Sequence, residues 1–161
     1  MRRLIVMRHA KTERRAESGK DFDRALTAEG RHDAGDTARA LAAAGLLADL
    51  ALVSAAVRTR QTFEALRPLL PDMRLEARDD LYEASADALW NAADGAEAET
   101  VLLVGHNPSV HALALSLAER CVAAGVRERE RLEHGYPTAT AAAFEFSGER
   151  VACLGVFGPR V

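Results

Sequence analysis

Four side chains in this sequence have the types and placement to handle an anion and transfer it: Arg8, His9, Arg58 and His106. Arg8 and His9 are adjacent, a fixed cation beside an imidazole that is nucleophilic when neutral. His106 sits in Gly105-His106-Asn107-Pro108, and Arg58 in Ser54-x-x-x-Arg58-Thr-x-Gln-Thr62. The anion these residues suit is a phosphoryl group, which carries about two negative charges near neutral pH. Its transfer passes through a loose transition state, so positioning and charge stabilisation do most of the work. Guanidinium forks match phosphate oxygens and stay protonated. A neutral imidazole can attack phosphorus in line, forming a phosphohistidine that water then opens. His9 is the expected nucleophile, with its non-reacting ring nitrogen donating to a backbone carbonyl. His106 is expected to donate to the phosphoryl oxygens as an imidazolium.

These residues converge only if the chain brings them to one place. Leu4–Met7 and Val101–Val104 are short, continuous apolar runs, the pattern of strands buried on both faces of a parallel sheet. One run ends at Arg8-His9 and the other at Gly105-His106. A third strand over Leu50–Val53 leads through Ser54 to Arg58 in the opening turn of a helix, where free N–H groups favour anions. Ligands in open α/β sheets bind beyond the carboxyl ends of the strands. Gly105 suits a close backbone approach, Asn107 an N-cap and Pro108 the first turn of the helix that follows.

These blocks, in this order, resemble the histidine phosphatase superfamily, which has the phosphoglycerate mutase-like fold. Arg8-His9-Ala10-Lys11, Asp23-Arg24-x-Leu26-Thr27-x-x-Gly30 and Leu81-Tyr82-Glu83-Ala84 are most similar to the short SixA-type phosphohistidine phosphatases. The resemblance runs over nearly the whole chain; Ala25 and Ala55 depart from it where the family often has proline. It implies a three-layer α/β fold, with a mostly parallel central sheet, helices on both faces and an antiparallel edge strand. It assigns the roles above to His9, Arg8, Arg58 and His106. It makes Arg24 a candidate for substrate contact, and Asn107 joins the phosphate-binding set. Glu83 matches an acid that protonates the leaving oxygen in mutase-like relatives, yet it reads equally as a carboxylate at the start of the next helix. Pro137-Thr138 matches a loop kept near the pocket, or simply leads into a strand.

The rest of the composition narrows the function. A chain of 161 residues suits one domain, 1–161, and nothing between the strands is long enough for a helical lid. A net charge of −3 supplies no basic field for nucleic acid. Cys121 and Cys153 lie outside any CxxC pattern and read as reduced core residues. No signal peptide precedes the first strand and no apolar run reaches spanning length, so a cytoplasmic, membrane-free protein is expected. No cofactor is implied, and no HExxH, CxxC or carboxylate cluster points to a metal. His32, His111 and His134 read as exposed or packed residues.

Further elements complete the frame. Thr27 should cap a first helix whose apolar stripe is Ala34, Ala38, Leu41 and Ala42, ending at Gly45. A second helix should run from about Ala55 to Leu70, with Pro71 beyond. Met73–Ala77 reads as a short strand, Asp87–Ala93 as a helix, and Arg127–Glu133 as a charged face or exposed loop. Ala141–Phe146 and Val151–Val156 should pair about a Ser147-Gly148 turn. The main functional expectation is hydrolysis of phosphohistidine on a protein such as a histidine-phosphotransfer domain. The alternatives are a phosphatase for a small phosphomonoester and a non-catalytic phosphate-binding module. Phosphate, sulfate or vanadate should bind the same pocket.

Overall fold

The computed structural model describes residues 1–69, 72–121 and 126–159. Among them, β1 (Arg3–Arg8), β2 (Leu50–Ser54), β3 (Arg74–Arg78), β4 (Thr100–Gly105), β5 (Ala141–Ser147) and β6 (Arg150–Phe157) form one sheet in the order β3-β2-β4-β1-β5-β6. β3, β2, β4 and β1 are parallel, while β5 runs antiparallel to both β1 and β6. The mostly parallel sheet is as expected. The antiparallel strand lies one position in from the edge, so β6, the edge strand, again runs with β1.

The uniform apolar runs of β1, β2 and β4 follow from burial on both faces. Ile5, Met7, Ala51, Val53, Leu102 and Val104 face α1 (Ala28–Ala43) and α2 (Val57–Leu66), meeting Ala34, Ala38, Leu41, Phe63 and Leu66. Leu4, Val6, Leu50, Leu52, Val101 and Leu103 face the opposite way. They pack on α3 (Ala86–Asp94), α4 (Ser109–Glu119) and α5 (Val126–Glu133) through Leu89, Leu113, Leu117 and Leu132. Side-chain alternation along each strand thus divides the core into two sheets of contact, giving three layers.

Local chemistry sets the helix ends. Thr27 Oγ1 accepts from Gly30 N at 2.9 Å, the expected cap of α1. At the other end Gly45 adopts φ 68°, and the Gly45 and Leu46 amides reach back to Ala42 and Leu41. Gly30 and Thr37 join the buried stripe of α1, whereas Ala42 is only half-buried. A Cβ on Gly30 would lie 2.1 Å from the Lys11 carbonyl oxygen, so glycine there lets α1 press on the segment that follows His9. Ser85 caps α3.

Two local expectations are corrected and one alternative is decided. α2 ends at Leu66 and tightens into a 3-10 turn over Arg67–Leu69, while the expected stop at Leu70 and Pro71 lies outside the described residues. Arg127–Glu133 belongs to α5 rather than a loop, because fully buried Leu132 seats it on the sheet and Arg129 pairs with Glu133 one turn on. Asn107 does not cap α4, which begins at Ser109 with Pro108 in the cap position and no side-chain cap.

Candidate active site

β1 and β4 are in-register neighbours, with Arg8 opposite Gly105, and β2 flanks β4 on its other side. The carboxyl ends of three adjacent strands therefore deliver Arg8-His9, His106 and the Ser54–Arg58 turn to one edge. His9 N donates to Gly105 O at 3.0 Å, which extends the β1–β4 ladder by one residue. The two imidazole rings lie with centroids 5.2 Å apart, tilted by 56°. Arg58 Nε donates to His106 Nδ1 at 3.3 Å, and His106 Nε2 meets Ser54 Oγ at 2.9 Å. An Nδ1 that accepts from a guanidinium leaves the ring proton on Nε2, so the latter bond donates to the serine.

His9 Nδ1 donates to Ala10 O at 2.8 Å, which leaves Nε2 with a free lone pair. Burial pushes the His9 pKa down to about 4. The Ala10 hydrogen bond works against that shift, and the charges of Arg58, Arg8 and Arg24 add to it. His9 is therefore neutral near pH 7, as a nucleophile requires. For His106, burial, then the Arg58 charge, bring the pKa down to about 3. In this arrangement it is a neutral imidazole, first because it is buried and second because Arg58 lies beside it.

The arginines are held differently. Arg8 Nη1 donates to Tyr136 O at 2.9 Å, while its Nε is buried with no hydrogen-bond partner among the described residues. Asn107 Nδ2 donates to the same carbonyl at 3.1 Å, and its Oδ1 is likewise buried and unpartnered. Tyr136 is anchored in turn by its hydroxyl, which donates to Val6 O at 2.5 Å. Arg58 is 5% exposed, and its helix is stitched to the nucleophile's strand by the polar residues of its motif. Thr62 Oγ1 accepts from Ala10 N and donates to Arg58 O. Thr59 Oγ1 donates to the Ser54 and Ala56 carbonyls, and Gln61 Oε1 accepts from Leu26 N.

Arg24 is engaged within its own loop. Its Nε, Nη1 and Nη2 donate to Glu13 O, Asp21 Oδ1 and Thr12 Oγ1, bracing the loop after β1. Glu83 is exposed and lines a cavity of about 230 Å³ with Leu81, Tyr82, His106 and Asn107, which places it beside His106. Pro137 and Thr138 line another cavity of about 320 Å³ with Lys11, and the Ala139 amide that follows them donates to His9 O at 3.1 Å. This loop thus touches the backbone of the nucleophile.

Sequence reasoning missed Asp21 and Tyr82 as participants. Asp21 accepts from Arg58, Arg24 and Tyr82, and the Tyr82 ring stands edge-on to His106 at 5.4 Å. Tyr82 lay inside a quoted motif, so a signal for it existed. Asp21 sits in a polar loop with no periodicity, and only the tertiary path brings it to Arg58. Among the described residues no group of three or more His, Cys, Asp or Glu side chains is placed to hold a metal ion, and no helix is long and apolar enough to cross a membrane.

The model of the histidine phosphatase superfamily (branch 1) matches residues 4–91, more than half of the chain. The crystal structure of a protein assigned as phosphohistidine phosphatase SixA from Agrobacterium tumefaciens is 29% identical, with a TM-score of 0.84 over 98% of both chains. A protein so assigned from Nakamurella multipartitia is 28% identical, with a TM-score of 0.81 over 96% of this chain and 94% of that one. The protein histidine phosphatase SixA complexed with tungstate shares the fold at 22% identity and a TM-score of 0.73, over 98% of this chain and 97% of that one. An uncharacterized chloroplastic protein of Arabidopsis thaliana is 41% identical over 66 residues, or 41% of this chain and 30% of its own length.

Proposed function

The chain belongs to the histidine phosphatase superfamily, and from that premise we propose that it removes phosphoryl groups from phosphohistidine on a partner protein. His9 Nε2 attacks phosphorus, the bond from phosphorus to the leaving imidazole nitrogen breaks, and that nitrogen ends protonated. Water then attacks the His9 phosphoramidate, releasing phosphate and restoring the imidazole. Arg8 and Arg58 hold the phosphoryl oxygens, and His106 and Asn107 line the same edge. The observation that carries this reading is the His9 Nδ1 bond to Ala10 O, which fixes the tautomer with Nε2 as the nucleophilic nitrogen.

Phosphohistidine is favoured because the two relatives assigned as phosphohistidine phosphatases match this chain over nearly its full length. We read the chain as one domain whose described residues include no helical lid, which leaves the pocket open to a bulky partner such as a histidine-phosphotransfer domain, and a cytoplasmic setting belongs to the same proposal. A small phosphomonoester is the second reading, favoured by Glu83 in the cavity beside His106, where it could serve a leaving oxygen. Turnover of a phosphohistidine peptide against simple phosphate esters separates the two. A higher kcat/KM on the ester would overturn the first reading. Phosphoenzyme trapping tests the chemistry itself: His9→Ala should accumulate no acid-labile, base-stable phosphoenzyme, and labelled protein from that variant would mean another nucleophile.

A further inference from the structure

The guanidinium fork of Arg58, the most deeply buried cation of the pocket, is already occupied by an anion from within the chain. Asp21 lies on a 3-10 turn, Asp21–Asp23, in the loop after β1. Its carbonyl accepts from Arg58 Nη1 at 2.7 Å and its Oδ2 from Arg58 Nη2 at 2.9 Å, so one residue spans the outer edge of the fork. Arg58 Nε is engaged with His106. The outer edge is one of the two on which a guanidinium grips a phosphate with two parallel bonds. The Asp21 carboxylate also accepts from Tyr82 OH at 2.8 Å and from Arg24 Nη1 at 2.9 Å. Hydrogen bonds from Arg24 first, then Tyr82, together with the Arg58 charge, hold its carboxyl well below the usual carboxylate range, so it carries a full charge at neutral pH.

Burial is unequal across this pair. The Arg58 side chain is 7% exposed and that of Asp21 is 53% exposed. The cation is fixed in the wall, while the anion reaches it from a surface turn. Moving Asp21 therefore costs little core packing, and Arg24 offers it a second hold on the same turn.

We propose that Asp21 is an internal competitor for the phosphoryl group, one that yields at least part of the Arg58 fork on substrate binding and reclaims it as phosphate leaves. This rests on reading the pocket as a phosphoryl site and adds a residue that sets its affinity. Asp21 lowers affinity for phosphate in two ways, by holding donors the phosphate oxygens would use and by repelling the incoming dianion. It thereby limits inhibition by product. Arg24 and Tyr82 act as the catch that keeps Asp21 over the fork.

The test is binding of inorganic phosphate and of vanadate to the whole chain, by calorimetry and by competitive inhibition, for wild type, Asp21→Asn and Asp21→Ala. Both variants should bind phosphate about three- to ten-fold more tightly, the range for removing a partly screened competing charge. The gain should shrink as salt is raised, because the competition is electrostatic. Weaker or unchanged phosphate binding in folded variants overturns the proposal and makes Asp21 a brace for Arg58. Circular dichroism identifies folded variants, and the two substitutions at an exposed turn guard against one failing to fold. If wild type binds neither anion, the phosphoryl reading of the pocket itself fails, a result distinct from binding that the variants do not strengthen.

Discussion

Thr62 Oγ1 accepts the amide hydrogen of Ala10 at 3.0 Å and donates to the Arg58 carbonyl, so a single hydroxyl joins the residue after the nucleophile to the helix that carries the buried arginine. Both groups are buried. Thr62→Val keeps the shape and removes the hydroxyl, leaving the Ala10 N–H without a partner. The cost should be about 1–3 kcal/mol in stability, the penalty for a buried unsatisfied group. Denaturant unfolding measures it. Turnover should fall further than stability predicts, since the spacing of His9 from Arg58 loosens; unchanged kcat in a destabilised variant would argue that the link is purely structural.

Arg8→Ala and Arg58→Ala should each remove at least about 2–4 kcal/mol of transition-state stabilisation, the size expected for one preorganised donor. Steady-state kcat/KM reads this directly. Diffraction from crystals soaked in phosphate, sulfate or vanadate should place the anion among Arg8, His9, Arg58 and His106. Density elsewhere would count against the pocket.

The two imidazoles make a prediction about pH. Their folded pKa values, about 4 for His9 and about 3 for His106, lie below the ordinary value of about 6.5. The unfolded chain therefore binds more protons than the folded one between these limits. The stability these residues contribute is complete above about pH 6.5 and is lost as pH falls towards the folded values. Thermal unfolding from pH 7 to pH 4.5 should show this decline, reduced in His106→Gln. Imidazole NMR should find both rings neutral at pH 6, and bound phosphate should move both pKa values upward. Titration of His9 near pH 6.5 in the native protein would contradict the burial argument.

Glu83 distinguishes the substrates. An alkoxide leaving from a phosphomonoester needs a proton in the transition state, worth about 10²–10⁴-fold when an acid is positioned. The imidazole leaving from phosphohistidine is a far weaker base, with a pKa near 6.5. Glu83→Gln should therefore cut ester hydrolysis sharply and phosphohistidine hydrolysis only slightly. Equal, large losses on both would assign Glu83 to positioning.

The sequence was most legible where one physical cause acts alone. Val101–Val104 and Leu4–Met7 are continuous because both their faces are covered, and that pattern survives without knowledge of partners. The four residues Arg8, His9, Arg58 and His106 were legible because each sits at the end of such a run or the start of a helix. The rest needed tertiary detail. The charge state of His106 depends on its burial beside Arg58, which no local spacing reveals. Asn107 has the composition of a cap, yet its amide is drawn to the Tyr136 carbonyl some thirty residues on. Arg24 is a candidate for substrate contact on its motif, and only the folded loop shows that it also braces Glu13 and Asp21.

The strand order has a consequence for the timing of synthesis. β4 lies between β1 and β2, so the two strands made first never pair with each other and are joined only through a third, made much later, that lies between them. A nascent chain that has passed Arg58 holds both arginines and the nucleophile but no surface on which they meet. The pocket comes into being when Thr100–Gly105 slots into the gap, and His106 arrives in the same event. A chain truncated before β4 should thus be inactive, and one truncated after β4 still lacks the Tyr136 carbonyl that holds Arg8 and Asn107, so activity should wait for that loop as well.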